Sequence, residues 1–285
     1  MKTVINGLTI DAVFTDKDIR GIFLPLLEKL YSLKEEKGRR ILVMLAGPPG
    51  CGKSTLAWFL SYLSENRLPE KDPVTMTEKD PVTVAGKAPA TMTEKEQATV
   101  AGKAPAAMTE EEPITVIGMD GFHYYQEYLL THYTWRKGRR IPLVQVKGAP
   151  ETFDLEKLLE RIKEVAEGQE CPWPVYDRQK HDPVEDAMTV TGDIVLLEGN
   201  YLLLDKPGWT ELSRNADYTI RISAEEAFLR ERLVERHLAG GKERAAAEAF
   251  VEDSDLYNVR EVLTFSKPAD MNLQVGKEGY TIREI

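Results

Sequence analysis

A short glycine-rich stretch carries the clearest chemical signature in the sequence. Residues 47–55 read GPPGCGKST and fit the pattern G-x-x-x-x-G-K-[ST]. In this pattern backbone N–H groups surround phosphate oxygens, the lysine neutralises the β- and γ-phosphates, and the serine ligates Mg²⁺. The stretch therefore predicts a nucleotide-phosphate site made of Gly47, Pro48, Pro49, Gly50, Cys51, Gly52, Lys53, Ser54 and Thr55.

The residues on either side give this loop the context that it requires. The apolar run 41–46 before it, ILVMLA, predicts a buried parallel strand, and residues 55–63 after it predict a helix. The N-terminus of a helix attracts anions, because its N–H groups and its dipole point at them. A glycine-rich turn that matched by chance would lack this context, so we favour phosphate binding.

Two acids occupy the ends of predicted strands. Asp120 ends the run 113–120 and Glu198 lies near the end of the run 193–199. The carboxyl ends of parallel strands meet at one edge of a sheet, so both acids are expected beside the phosphate loop. One would orient or deprotonate an acceptor hydroxyl and the other would hold Mg²⁺, and the residues alone leave that assignment open. Either acid could instead be a simple helix cap.

The elements that must position these groups alternate along the chain. Alternating strands and helices predict an α/β fold with a parallel sheet covered on both faces, in three layers α/β/α. A hairpin or edge strand over 4–14 and a helix that begins at Thr15 and ends at Gly38 precede this core. The predicted strands are 41–46, 113–120, 193–199, 218–222 and 270–275, and the later helices are 154–162 and 224–250.

Composition limits the classes of partner. The chain has 285 residues, a net charge of −10 and a pI near 5.1, which argues against nucleic acid as the main partner. No apolar run approaches the ~20 residues that span a bilayer, and no signal peptide is visible, so no membrane partner is expected. Two cysteines give no disulfide framework. These features predict a soluble cytoplasmic protein.

A repeat interrupts the predicted fold. Residues 75–90 recur as 91–106 with three differences, and a diverged third copy begins at Ala107. Residues 71–112 contain no Leu, Ile or aromatic residue, so they cannot bury enough apolar surface to order themselves. We therefore predict a flexible surface insertion over 69–113 within a single domain that spans 1–285. The alternative is an arm that binds a partner or acts as a lid.

Five motifs stand in order along the chain. They are residues 47–55, DGFH at 120–123, KGAPETFD at 147–154, PVYDR at 174–178 with His181, and LEGNY at 197–201. Together they resemble the phosphoribulokinase, uridine kinase and pantothenate kinase family of P-loop kinases. Within that family the chain is similar to the bacterial branch described as nucleoside/nucleotide kinases or fructose-transport-system kinases. The resemblance runs from about residue 40 to 275, without the insertion, and implies a P-loop NTPase fold with a helical lid inside 224–250.

The resemblance also implies roles. It makes Asp120 the catalytic base and Glu198, with Ser54, part of the Mg²⁺ shell, with ATP as the nucleotide. The lid would supply Arg232 and Arg236, which share a helix face because they are four residues apart. These arginines could instead belong to a solvated face, since Glu231 and Glu235 lie between and beside them. Residues 266–270 resemble the loop that packs on the adenine.

The acceptor side is expected to consist of His123, Tyr124, Tyr176, Arg178 and His181. Kinases of phosphorylated sugars and of uridine have an arginine shortly after the DGFH position, whereas two tyrosines follow here. The expected activity is therefore ATP- and Mg²⁺-dependent phosphorylation of a hydroxyl on a small acceptor, a nucleoside or a sugar. The alternatives are an ATPase or nucleotide switch that acts through a protein partner, and a nucleotide sensor without catalysis.

Overall fold

The computed structural model describes residues 14–66 and 113–284 in full, and residues 2–5 and 8–11 by their backbone. The predicted insertion, apart from residue 113, lies outside the described residues. The strands are β1 (Lys2–Ile5), β2 (Leu8–Asp11), β3 (Ile41–Ala46), β4 (Thr115–Gly118), β5 (Tyr133–Arg136), β6 (Arg139–Pro142), β7 (Cys171–Asp177), β8 (Asp182–Val190), β9 (Ile194–Gly199), β10 (Tyr218–Ser223), β11 (Met271–Gly276) and β12 (Gly279–Ile282).

Helices connect most of these strands. The α-helices are α1 (Asp16–Asp18), α2 (Leu24–Lys37), α3 (Lys53–Asn66), α4 (Gln126–Thr131), α5 (Leu155–Ala166), α6 (Glu226–Ala239), α7 (Arg244–Phe250) and α8 (Leu256–Phe265). Short 3-10 helices cover Met119–Phe122, Leu143–Val146, Pro150–Thr152 and Trp209–Asn215, and π-helical turns cover Ile19–Phe23 and Val251–Asp255. No helix in the described ranges is both long enough and apolar enough to cross a bilayer.

The central sheet has the predicted parallel arrangement. Among the described strands, six form one sheet in the order β12-β11-β10-β3-β9-β4. Every neighbouring pair is parallel except β11 and β12, which are antiparallel. Such a sheet is expected to be buried on both faces, and all six residues of β3 are buried.

Alternation of side chains along β3 produces the three layers. Val43 and Leu45 point to one face, where α2, α3, α6 and α8 pack against them. Leu42 and Met44 point to the other face, where α5 and the Trp209–Asn215 turn cover them. Successive residues of a strand face opposite sides, so an unbroken apolar strand requires helices on both. The predicted α/β/α fold is confirmed.

The N-terminal helix begins where its capping residues predicted. The Thr15 hydroxyl accepts a hydrogen bond from the Asp18 N–H at 3.1 Å, and the Asp18 carboxylate accepts one from the Thr15 N–H at 3.3 Å. Gly38 ends α2 in the left-handed region, with φ of 61°. Asp18 also accepts a hydrogen bond from the N–H of Tyr280 at 3.1 Å, which ties this helix to β12.

Several elements depart from the sequence prediction, among them α4 and α8, which no predicted helix covered. The hairpins β5–β6 and β7–β8 were not foreseen, and β12 follows β11, which the periodicity predicted as the last strand. Pro172 and Pro174 lie within β7, and proline in a run argues against a strand. Tertiary contacts compensate, because the buried indole of Trp173 donates a hydrogen bond to the carbonyl of Gly118 at 2.9 Å.

Candidate functional site

The sheet register brings the phosphate loop and one acid to the same edge. Glu198 in β9 is aligned with Leu45 of β3 on one side and with Gly118 of β4 on the other. The phosphate loop begins directly after β3. Asp120 lies two residues beyond the end of β4, in the 3-10 turn Met119–Phe122. Three separate segments therefore deliver their functional groups to the carboxyl edge of the sheet, as the alternating pattern predicted.

The phosphate loop has the backbone that its glycines predicted. Gly50 and Gly52 have φ of 83° and 92°, in the left-handed region that favours glycine. The Lys53 side chain is only 7% exposed, and its Nζ donates a hydrogen bond to the carbonyl of Pro48 at 3.1 Å. The ammonium thus lies over the loop. Cys51 is fully buried, and this burial raises the pKa of its thiol.

Ser54 and Glu198 form the polar centre of the edge. The Ser54 hydroxyl donates a hydrogen bond to Glu198 Oε1 at 2.8 Å. Burial raises the pKa of the Glu198 carboxyl, and Asp120 adds to the rise, whereas Lys53, Ser54 and Arg178 oppose it. A buried carboxylate whose charge is disfavoured by burial and by a neighbouring acid is a setting in which a cation is stabilising. A hydroxyl and a carboxylate are also the hard oxygen ligands that Mg²⁺ prefers.

The turn that carries Asp120 also orients His123. A carbonyl oxygen can only accept, so the His123 Nδ1–H donates to the carbonyl of Asp120, at 2.8 Å, and Nε2 is left as an acceptor. Burial lowers the pKa of the imidazole, which keeps the ring neutral at pH 7, although Asp120 opposes the shift. A Cβ on residue 121 would overlap the backbone carbonyl of Pro174, so only glycine lets this turn approach β7 so closely.

The residues expected on the acceptor side are partly brought together. The ring of His123 lies 5.2 Å from that of Tyr176, between centroids. Burial raises the pKa of Tyr176 to about 12, and Asp182 adds to this rise while Arg178 opposes it. Arg178 affects the pKa values of Glu198 and His123 as well, yet it makes no hydrogen bond or ion pair with the rest of the described chain.

Two expected acceptor residues are placed differently. Tyr124 stacks on Tyr128 at 4.3 Å between ring centroids, and its charged neighbours are Asp154 and Glu156, so it is not brought to Asp120. His181, with φ of 58°, contributes its carbonyl, which accepts a hydrogen bond from Lys147 Nζ at 2.6 Å. Lys147 Nζ also lies 5.2 Å from the ring centroid of Tyr176, a contact that the sequence motifs did not predict.

The two arginines expected in the lid lie one turn apart on α6. The Arg232 guanidinium lies 3.6 Å from the position that a Cβ on Gly52 would occupy, so it sits at the phosphate loop. Arg236 lies one turn further along α6, with its Nη2 3.9 Å from Asp255 Oδ1. Burial lowers the pKa of the Arg236 guanidinium, Asp255 and Asp120 raise it, and Arg178 lowers it.

A groove of about 560 Å³ lies at the carboxyl end of β11 and was missed by sequence reasoning. Its walls include Phe228 and Glu231 of α6, and Lys277 and Tyr280 of the β11–β12 hairpin. None of the residues that line the groove belongs to the phosphate loop. Tyr280, which is one of them, is buried, and its hydroxyl lies 3.8 Å from the position of a Cβ on Gly52. The one signal in the sequence was the turn between two glycines at 276–279.

Residues 266–270 are expected to pack on a nucleotide base, and this stays a prediction. They lead into β11, and Asp270 accepts a hydrogen bond from the Thr219 N–H at 2.8 Å. Thr219 is aligned with Met44, two residues before β3 ends and the phosphate loop follows. Asp270 therefore lies level with the carboxyl half of β3.

Known proteins resemble the chain over most of its length. It is 39% identical over 280 residues to the uncharacterised protein YggC of Escherichia coli (strain K12), which covers 98% of this chain and 97% of that one. It is 28% identical over 222 residues to a protein of Schizosaccharomyces pombe (strain 972) provisionally named as a uridine kinase, over 76% of this chain and 74% of that one. No protein-family model matches the chain.

Solved structures give the same result. The crystal structure of a protein from Silicibacter sp. TM1040, provisionally named as a fructose transport system kinase, superposes with a TM-score of 0.65 and 29% identity. The alignment covers 88% of this chain and 98% of that one. The sequence relatives and the superposition thus agree with the fold and with the kinase motifs read from the residues.

Proposed function

The chain belongs to the phosphoribulokinase, uridine kinase and pantothenate kinase family of P-loop kinases, and we propose that it uses ATP and Mg²⁺ to phosphorylate a hydroxyl of a nucleoside or a sugar. The observation that carries this proposal is the meeting of Lys53, Ser54, Glu198 and Asp120 at one edge of the sheet. Phosphoryl transfer needs a phosphate cradle, a metal site and a group that positions the acceptor.

The nucleotide side follows from the loop and the groove. Backbone N–H groups of residues 47–55 and the Lys53 ammonium would hold the β- and γ-phosphates. The groove beside Phe228 and Tyr280 has room for the base and ribose. Arg232, at the loop, and Arg236, one turn further along α6, would offset charge on the transferring phosphoryl group.

Ser54 and Glu198 are the groups that would hold Mg²⁺. Magnesium in kinases is bound by one or two protein oxygens together with substrate phosphates and water. The described ranges contain no cluster of three or more metal-binding side chains. A pair of oxygens 2.8 Å apart, flanked by Lys53, matches this modest requirement. When bound, the ion supplies positive charge to the phosphate oxygens.

Replacing Glu198 by glutamine should weaken Mg²⁺ binding without removing the fold. Glutamine keeps an oxygen for the Ser54 hydroxyl but loses the negative charge, so we expect about a tenfold rise in the Mg²⁺ concentration for half-maximal activity. Titration of Mg²⁺ at fixed ATP measures this. Glu211→Gln, which removes an exposed partner of Arg214, is the matched control. Equal Mg²⁺ requirements in wild type and Glu198→Gln would contradict the assignment.

The acceptor would lie between Asp120, His123 and Tyr176. Asp120 would align the hydroxyl of the acceptor and take up its proton as the bond between the acceptor oxygen and the γ-phosphorus forms. At the same time the bond between the γ-phosphorus and the β–γ bridging oxygen breaks, and ADP leaves. Neutral His123 offers Nε2 as a hydrogen-bond acceptor to a second hydroxyl. The Tyr176 phenol, un-ionised at pH 7, can donate to the acceptor. Two such partners suit a polyhydroxylated molecule.

A coupled assay of ADP formation across nucleosides and unphosphorylated sugars tests the proposal. At least one acceptor should stimulate ADP formation well above background, and the phosphorylated product should appear in equal amount by mass spectrometry. Background hydrolysis that no acceptor changes would contradict the kinase assignment and favour a nucleotide switch that acts through a partner.

A further inference from the structure

A buried carboxylate lies at the base of the lid, outside the groups that the proposed reaction uses. Asp255 ends the π-helical turn Val251–Asp255, which joins α7 to α8, and it is 8% exposed. A buried charge is costly unless it is paired. π-Helical turns are rare and often occur at functional sites. The buried carboxylate of Asp255 is therefore expected to have a specific partner.

Two consecutive residues of α6 converge on this carboxylate. His237 Nε2 lies 2.7 Å from Asp255 Oδ2, and Arg236 Nη2 lies 3.9 Å from Asp255 Oδ1. Lys242 Nζ lies 3.2 Å from His237 Nδ1. An ammonium can only donate, so Nδ1 accepts, and the ring proton is on Nε2, from which it is donated to Asp255. The imidazole thus fixes the carboxylate through one oxygen.

The second carboxylate oxygen of Asp255, Oδ1, faces Arg236 and attracts the guanidinium by charge without a direct hydrogen bond. A separation of 3.9 Å is beyond a hydrogen bond, so the guanidinium keeps its donors available while its charge is held. Asp120 also raises the pKa of the Arg236 guanidinium and Arg178 lowers it, so the charges of both residues reach it. Arg236 therefore interacts with the Asp255 carboxylate and with charges of the proposed reaction site.

We propose that Asp255 is a positioning residue that holds Arg236 in the orientation needed to contact the transferring phosphoryl group. The inference rests on the proposed function for the identity of the reaction. Among the described residues, the polar side-chain partners of Asp255 are His237 and Arg236, neither of which belongs to the phosphate loop or lines the groove. Asp255 acts through Arg236, and the hydrogen bond from His237 fixes its position. Misplacing a charged donor by about 1 Å can cost up to about 100-fold in rate.

The variant Asp255→Asn removes the negative charge of the side chain and keeps its size. Asparagine can still accept the hydrogen bond of His237 through its amide oxygen, but it no longer attracts Arg236. We expect kcat to fall about tenfold while KM for ATP changes less than about twofold, because the loss concerns the transition state. In an Arg236→Met background, where the dependent group is absent, Asp255→Asn should cause no further fall in kcat.

Asp217→Asn is the matched control. The Asp217 side chain is 5% exposed and paired with Arg39 at 2.7 Å, but it lies at the amino edge of the sheet, away from the phosphate loop. This variant should lose stability, measured as a lower thermal midpoint, with kcat unchanged. A purely structural role for Asp255 would produce the same pattern as Asp217→Asn.

A second readout does not depend on finding the acceptor. The affinity of the full-length chain for ADP with Mg²⁺ and aluminium fluoride, an analogue of the transferring phosphoryl group, is measured in wild type, both single variants and the double variant. We expect Asp255→Asn to weaken the affinity for the fluoride analogue about tenfold in the wild-type background. In the Arg236→Met background the same change should have no effect on it. The affinity for ADP alone should be unchanged in all variants.

The outcomes distinguish the two proposals. If no acceptor stimulates ADP formation, but the effects of Asp255→Asn and Arg236→Met on the affinity for the fluoride analogue are non-additive, the kinase proposal is contradicted and the positioning role of Asp255 is supported. Equal effects of Asp255→Asn in both Arg236 backgrounds overturn the positioning role, as does an Asp255→Asn protein with wild-type kcat and fluoride affinity. Wild-type protein that fails to bind the fluoride analogue contradicts both.

Discussion

Asp120→Asn should reduce acceptor-dependent ADP formation by about 10²–10⁴-fold, the usual contribution of a general base. Asparagine has the same size and keeps the 3-10 turn, whose carbonyl holds His123 at 2.8 Å, so the geometry should survive. The amide cannot take up the proton of the acceptor hydroxyl. Initial rates with saturating ATP and acceptor measure the loss, and titration calorimetry with ADP should show unchanged nucleotide affinity.

Asp154→Asn is the matched comparison for this change. Asp154 also follows a site segment, but it caps α5, where its Oδ1 accepts a hydrogen bond from the Lys157 N–H at 3.1 Å. Asparagine caps helices as well as aspartate does, so turnover should stay near wild type. Unchanged turnover in Asp120→Asn would remove the assigned role, whereas loss in both variants would point to a packing effect.

Lys53→Met should lower kcat/KM for ATP by about 10²–10³-fold, as removal of one donor from a developing charge does in other enzymes. Methionine fills a similar volume in this buried position but carries no charge for the β- and γ-phosphates. Removal of Lys53 also raises the pKa of Glu198, because Lys53 is the largest group that lowers it. The Mg²⁺ requirement should therefore rise together with KM for ATP.

Lys34→Met controls for the loss of a lysine in general. Lys34 pairs with Asp193 at 3.2 Å on the amino side of the sheet, and such surface pairs contribute about 0–1 kcal/mol. Its kinetic constants should match those of wild type. Steady-state kinetics with varied ATP and Mg²⁺ give both comparisons. A Lys53→Met enzyme with wild-type ATP dependence would contradict the role of the loop.

Features that depend on neighbours in sequence were predictable. Residues 47–55 predict the phosphate loop because the loop consists of nine contiguous residues. Thr15 and Gly38 predict the two ends of the N-terminal helix because a capping residue interacts with backbone groups only a few positions away. The apolar runs of β3 and β9 required burial on both faces, and the sheet edge that joins Glu198 to the loop followed from parallel pairing.

Features that depend on distant residues were not predictable. Asp255 reads as one acid among several, and only the packing of α6 against the π-helical turn brings His237 to it. The prolines of β7 concealed a strand that pairs with β8 and whose Trp173 donates a hydrogen bond to the carbonyl of Gly118.

The hydrogen bond between Asp18 and Tyr280 has a consequence for how the protein matures. Tyr280 lines the groove assigned to the base, and its anchor lies 262 residues earlier. A growing chain on the ribosome carries the contiguous phosphate loop long before Tyr280 has been made. The strands that flank β3, β9 and β10, are also made later, so the proposed phosphate and base sites can form only after translation has passed these strands and β12.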